Sequence, residues 1–294
     1  MVASAVLRVS LLVLGVVAPA YATPVARSTV LTPFGHYAAE NVHEVPAGGS
    51  VAHVGSDIHL LDAQGTVLHV AAFDNTKTVR APKKTSRDVD PFVTGWTAYA
   101  DWYNTGAPIN AFTTTWAVPS TPAVNSGQTV FLFNSIEPAS GSAILQPVLQ
   151  WGGSAAGGGA YWAIATWYVT GSNAYYTTPY SVSVGQTLVG IINLSSSSGS
   201  SYNYLSEFSN IPAAGALSLT GSAELVWATE TLEAYGITQN GNYPAGATSF
   251  YNINLSTTSG TPSVSWSTTS DTSDGVIATV SVGGATNAII TINY

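Results

Sequence analysis

The chain has 294 residues, no cysteine, seven Lys and Arg against fifteen Asp and Glu, and a formal net charge of −8. Every Lys and Arg lies at or before Arg87 and every His at or before His69, so residues 88–294 carry ten carboxylates and no Lys, Arg, His or Cys. That stretch cannot build a Ser-His-Asp triad, a Ser-Lys dyad, a histidine zinc site or an arginine phosphate clamp, and it offers nucleic acid nothing that neutralises phosphate.

If the region does chemistry, its acid–base groups are carboxylates, supported by Tyr, Ser, Thr, Asn and Gln. A chain without basic groups gains little positive charge as pH falls, which avoids the self-repulsion that drives acid unfolding and points to an acidic habitat. Drift toward low charge in a secreted β protein is the plainer alternative.

Residues 1–22 read as a secretory signal: Arg8 supplies the positive start, "VSLLVLGVVA" is too short to span a bilayer, and "AYA" ending at Ala22 is a cleavage site. The expected location is extracellular, with no membrane association after signal removal; a single membrane anchor is the rival reading. Residues 23–90 hold most of the basic groups and every His, and "KTVRAPKKTSR" at 77–87 is a basic linker. They read as a prosegment with a small fold of its own, in which "GSDIHLLDAQGTVLHVAAF" makes two strands around the turn "DAQG". Such a segment would dock on an acidic partner domain near neutral pH and loosen in acid, as carboxylates neutralise and His charges. An N-terminal subdomain that stays attached is the alternative.

Residues 91–294 read as all β. β-branched and aromatic runs, among them "AFTTTWAVP", "TVFLFNSIEP", "AILQPVLQWG", "YWAIATWYVT", "TLVGIINLS", "YNYLSEF" and "AELVWATETLEAY", alternate with Gly, Ser, Asn and Pro clusters. About a dozen short strands and no amphipathic helix predict a two-sheet antiparallel β-sandwich. "SSSSGSS" at 195–201 reads as a hairpin tip, and Asn193 and Asn254 open two glycosylation sequons.

Two stretches carry candidate chemistry. In "SAILQPVLQWGG", side-chain alternation puts Gln146 and Gln150 on one face with Ile144 and Val148, and Trp151 on the other. An amide among apolar neighbours either closes a buried hydrogen-bond network or is set to hold a reacting group. In "AELVWATETLEAY", Glu224, Ala228 and Glu230 share one face and Trp227, Thr229, Glu233 and Tyr235 the other. A carboxyl on an inward face has its pKa raised toward a value useful for acid–base work; on an outward face it is an ordinary surface charge. The tryptophans either fill the core or line a groove for an extended ligand. "WGGSAAGGGAYW" at 151–162 is either a flap over a cleft or a slack hairpin.

These stretches together resemble the eqolisins, the acid-acting glutamic peptidases. "FTTTWAVP" resembles their Gly-Thr-Trp-x-Val-Pro strand, "FNSIEP" their Trp-Val-Gly-Ile-Asp-Gly, "SAILQPVLQWG" their Ala-Ile-Leu-Gln-Thr-Gly, "YWAIATWYV" their Tyr-x-Ala-Trp-Tyr-Glu-Trp and "VWATETLE" their Glu-Trp-Ile-Val-Glu-Asp-Phe, in family order across residues 96–233. The resemblance implies a lectin-like β-sandwich made as a precursor. It places Gln146 on the catalytic glutamine, Glu230 on the catalytic glutamate and Glu137 in a supporting acidic position, with Phe133, Trp151, Trp167 and Trp227 expected in the substrate groove. Phe133 stands where the family has Trp, Thr166 where it has Glu, and the family's cysteines are absent. A second register would set Glu224 and Ala228 on the two glutamates; the Trp227 register matches Trp, Glu and the next apolar residue together.

The implied activity is secreted acid endopeptidase, acting as a monomer on protein or peptide substrates, with no metal or organic cofactor. Two rivals stand beside it. A glycoside hydrolase would pair carboxylates such as Glu137 and Glu230; a lectin-like glycan-binding sandwich would hydrolyse nothing.

Overall fold

In chain order the strands of the computed structural model are β1 (Thr29–Thr32), β2 (Gly35–Ala38), β3 (Val42–Val45), β4 (Ser50–Val54), β5 (Asp57–Leu61), β6 (Val67–Ala72), β7 (Gly95–Tyr103), β8 (Ile109–Ala117), β9 (Thr129–Pro138), β10 (Ala143–Ser154) and β11 (Gly157–Thr170). There follow β12 (Ala174–Thr177), β13 (Tyr180–Ser181), β14 (Thr187–Ser198), β15 (Ser201–Phe208), β16 (Ala216–Ser222), β17 (Leu225–Tyr235), β18 (Ala247–Thr257), β19 (Ser267–Thr269), β20 (Ile277–Val282) and β21 (Ala288–Asn293). The structure describes residues 1–2, 28–79 and 94–294, so the secretory-signal reading and most of the basic linker lie outside the described residues. Among the described residues no helix is long and apolar enough to cross a membrane.

Two large sheets make a sandwich, as the alternation of strand and turn signals predicts. The first runs β19-β7-β17-β9-β10-β11-β12-β3, with β13 also paired to β11; the second runs β20-β21-β18-β8-β14-β15-β16-β4-β5-β6. Phe112 and Trp116 of the second sheet and Leu132, Leu145, Leu149 and Tyr168 of the first belong to one buried core between the sheets.

The first sheet is unusual in carrying a second apolar layer on its outer face. Trp96, Tyr99, Phe131, Phe133, Ile144, Val148, Trp167 and Trp227 form it, and Leu31, Phe34, Tyr37 and Val42 pack on it from the N-terminal segment. Both faces of β9 are therefore covered, and all ten of its residues are buried. A strand buried on both sides has no reason to alternate polar with apolar, which is why "TVFLFNSIEP" reads as a nearly continuous apolar run.

Residues 28–79 join the sandwich directly. β3 pairs in parallel with β12 at the edge of the first sheet. β4 pairs in parallel with β16 and carries β5 and β6 onto the second. The turn between β5 and β6 forms at "DAQG" as expected, with Asp62 Oδ1 accepting the N–H groups of Gln64 and Thr66 at 2.9 and 2.8 Å. The β1–β2 hairpin lies over the outer face of the first sheet. There Ala155 N–H donates to Leu31 O at 2.7 Å and Tyr37 OH donates to Thr170 O at 2.6 Å.

Candidate active site

Strand pairing fixes which side chains share the outer face of the first sheet. One row across it reads Trp167, Gln146, Ser135, Thr229 and Asp101; the next holds Ile144, Glu137 and Trp227. Gln146 and Glu137 are diagonal neighbours on adjacent strands, a relation that sets Cα atoms roughly 7–8 Å apart and lets long side chains meet. Both are fully buried.

Pro147 shapes this spot. Proline has no N–H to give a ladder, and the β9–β10 register passes from Leu145↔Ile136 to Val148↔Phe133 without pairing Gln146 or Pro147. The register is the same on both sides of the gap, so Gln146 still falls opposite Ser135.

The two glutamines that share a face differ in what they do. Gln150 is occupied: its amide N–H₂ donates to Gly152 O and Gly157 O at 2.7 and 2.9 Å, and its Oε1 accepts from Ser154 Oγ at 2.8 Å. It staples the glycine-rich "WGGSAAGGG" stretch into a β10–β11 hairpin, with Gly152 and Gly158 at φ values of 89° and 105° that suit glycine. Gln146 is the opposite case. Neither its Oε1 nor its Nε2 has a hydrogen-bond partner in its buried setting, a state that native structures rarely tolerate without a ligand or functional reason. Gln150→Ala is thus expected to lower stability by about 1–3 kcal/mol and to leave the site chemistry unchanged; a denaturant titration beside an activity assay checks both.

Polar groups run along the same face. Ser135 Oγ meets Thr229 Oγ1 at 2.7 Å, which meets Thr231 Oγ1 at 2.8 Å. Trp227 Nε1–H donates to Asp101 Oδ2 at 2.9 Å, and its ring stacks on Trp96 with centroids 5.7 Å apart. Burial pushes the Tyr99 phenol up, and the charges of Asp101 and Glu137 add to the shift. Tyr99 therefore feels both carboxylates.

Glu230 is not on this face. It pairs with Asn134 across the β17–β9 ladder, shares its face with Ala228 and Leu232 of the inter-sheet core, and accepts a short hydrogen bond from Thr114 of the second sheet. Burial raises its pKa well above the ordinary glutamate value, against a smaller lowering by Thr114. Hence Gln146 and Glu230, expected as a pair, lie on opposite faces of the sheet, and the pairing of Glu137 with Glu230 that a glycosidase would use is not assembled either. The cause is side-chain alternation: Glu230 is an even step from Ala228, whereas Trp227 and Thr229 turn outward.

Of the expected groove aromatics, Phe133, Trp167 and Trp227 line the outer face. Trp151 does not; it turns into the inter-sheet core against Trp162, with centroids 5.6 Å apart. Thr166 shares the inward side through its pairing with Pro147. Glu224 precedes β17, half-buried, and accepts from Tyr202 OH at 3.2 Å.

Glu233 is the site residue the sequence reading passed over. It is fully buried on the outer face, and its Oε1 accepts Phe34 N–H at 2.8 Å and the Tyr235 OH at 2.5 Å. Burial pushes its pKa up to about 7, partly offset by those two donors. The available signal was its even-step spacing from Trp227, which puts the two on one face.

No family model matches the sequence, and no curated protein matches it either. Among solved structures, the chain is similar to scytalido-glutamic peptidase with a peptide-based transition-state analogue, at 16% identity and a TM-score of 0.45 over 69% of this chain and 100% of that one. It is also similar to SCP-B, a member of the eqolisin family of peptidases, in complex with the tripeptide Ala-Ile-His, at 16% identity and a TM-score of 0.46 over 69% of this chain and 100% of that one. A second scytalido-glutamic peptidase structure with a transition-state analogue inhibitor gives 16% identity and a TM-score of 0.47, over 68% and 98% of the two chains. At that identity the likeness concerns the course of the chain and assigns no residue a role.

Proposed function

We propose that the chain is the precursor of a secreted, acid-acting endopeptidase of glutamic type, working from the outer face of the first sheet. The observation that carries this reading is the buried, unpartnered amide of Gln146 set diagonally from Glu137 on a face lined with aromatic residues. With no Lys, Arg, His or Cys after Arg87, a carboxylate is the base available, and it is the base type that works in mild acid.

In the proposed reaction Glu137 takes a proton from a water, whose oxygen attacks the carbonyl carbon of the scissile peptide. The carbonyl oxygen becomes negative and receives an N–H from Gln146 Nε2, a donor that stays neutral at every pH. Collapse of the intermediate breaks the C–N bond, and the proton held by Glu137 goes to the departing amine. The ordered motif resemblance supports the peptide bond as the target. The β1–β2 hairpin covers the face, so the same reading makes residues 28–79 a prosegment that must move before a substrate enters.

The test is hydrolysis of a denatured protein and of a neutral polysaccharide from pH 2 to 7, after acid incubation of the full chain. Protein cleavage in acid, reduced about a hundredfold or more by Glu137→Gln, is expected. Polysaccharide cleavage alone, or no cleavage of either, would overturn the reading.

A further inference from the structure

Phe34 occupies a costly backbone conformation. Its φ is 94°, in the left-handed region that non-glycine residues avoid, and it is followed by Gly35 at 101°. The turn alone would favour Gly or Asn at this place. What holds phenylalanine there is a set of contacts from one surface. Its ring packs on Trp96 with centroids 5.3 Å apart, within the outer cluster that includes Phe131, Phe133 and Tyr235, and its N–H donates to Glu233 Oε1 at 2.8 Å.

That receptor belongs wholly to residues after 94. Two of its polar atoms, Glu233 Oε2 and Trp96 Nε1, are buried without a hydrogen-bond partner even with Phe34 in place. When the hairpin leaves, Oε1 loses a donor too, and the pocket becomes an apolar cup with an acceptor at its rim. Leu31, three residues earlier, bonds main chain to main chain with Ala155. The segment thus rests on the sheet as an extended peptide would, one aromatic side chain down and its amide read by a carboxyl.

We infer that the Phe34 pocket is a substrate subsite for an aromatic side chain, with Glu233 accepting the main-chain N–H of the same residue. The inference rests on the peptidase reading and names its substrate class: uncharged, extended peptide bearing Phe, Tyr or Trp at a fixed distance from the scissile bond. Glu233 lies two strands and four residues from the Gln146 row, on the order of 15 Å, or four to five residues of extended chain. The subsite is accordingly remote from the bond that breaks, so it acts on binding and positioning.

Phe34→Gly in the full chain empties the pocket and relieves the backbone. N-acetyl-phenylalaninamide is expected to raise the Tm of this variant in a saturable manner, to change its tryptophan emission, and to leave the wild type unmoved. N-acetyl-alaninamide is expected to do neither. An equal shift with both amides, or none at millimolar concentration, overturns the subsite. Should Phe34→Gly not fold, Phe34→Ala and Phe34→Leu are read the same way, with the response shrinking as the residue fills the cup. Cut sites in a denatured protein give the second readout, an aromatic residue enriched four to five positions to one side being expected and a flat distribution counting against the subsite. Amide binding without any proteolysis would sustain the pocket and remove the peptidase reading, so the two fail separately.

Discussion

Replacing Gln146 by leucine is expected to leave the protein as stable as the wild type or more so, and to lower turnover about a hundredfold or more. The two halves of this result come from one fact, that a fully buried amide has neither its donor nor its acceptor satisfied. An unsatisfied buried polar group costs about 1–3 kcal/mol, and leucine at the same place meets Ile144, Val148, Phe133 and Trp167 without that cost. A glutamine kept there for structure would behave in the reverse way, as Gln150 does with its three hydrogen bonds. Thermal melts and initial rates on the same preparations separate the cases. A large loss of stability in Gln146→Leu would mean that the amide is structural.

The second large effect is on stability against pH. Glu230 and Glu233 are both fully buried and both have raised pKa values, Glu233 to about 7. Between the unfolded and folded pKa values the folded state binds more protons, so stability falls as pH rises. The contribution is complete below about pH 4.5 and is lost progressively above it, through about pH 7 for Glu233; burial of Glu230 acts in the same direction. For Glu233 a shift of this size corresponds to ~3 kcal/mol. Glu230→Gln is expected to melt with wild type near pH 3–4 and well above it at pH 7, flattening the profile. A variant whose profile stays parallel to the wild type's would show that Glu230 does not titrate in the fold.

The N-terminal segment runs the other way. Burial lowers the pKa of His53, which bonds to Tyr168 OH and packs on Phe73, to about 4. It lowers His43, whose ring packs at a tilt on those of His69 and Tyr175, to about 4 as well, with His69 adding to the shift. Their contribution to holding the segment is complete above about pH 6.5 and is lost as pH falls toward 4. Acid thus firms the sandwich through its buried glutamates while it loosens β3 and β4, which tie the N-terminal segment to the edges of the two sheets.

Much of this was legible in the sequence because strands announce themselves by residue type. "TVFLFNSIEP" coincides with β9, and "YNYLSEF" falls within a residue of β15. Strands β7, β12 and β16 were harder to see: "GWTAYADWY", "AYYT" and "ALSLTGS" mix Ala, Thr, Ser and Gly with few β-branched apolar residues, and pairing with neighbours decides them. The serine tip "SSSSGSS" also extends further as strand than its composition implies.

The site was legible in part. Alternation grouped Gln146 with Ile144 and Val148, and Glu230 with Ala228, in agreement with the faces observed. It could not say which face of β17 joins which face of β10, because both sides of this sheet are buried and neither carries the polar stripe that marks solvent. That is where Gln146 and Glu230 part company and where Glu233 was overlooked. Gln146 stood out as an oddity among aliphatic residues, but its lack of partners is a property of the packed sheet.

The most direct measurement compares Gln146→Leu and Glu230→Gln in the acid proteolysis assay, each beside wild type and each verified as folded. The outer-face account predicts that Gln146→Leu loses about a hundredfold or more in rate, while Glu230→Gln keeps activity near wild type and differs mainly in its pH-dependent melting. Abolished cleavage in a well-folded Glu230→Gln, with Gln146→Leu still active, would contradict it and move the chemistry to the interior between the sheets.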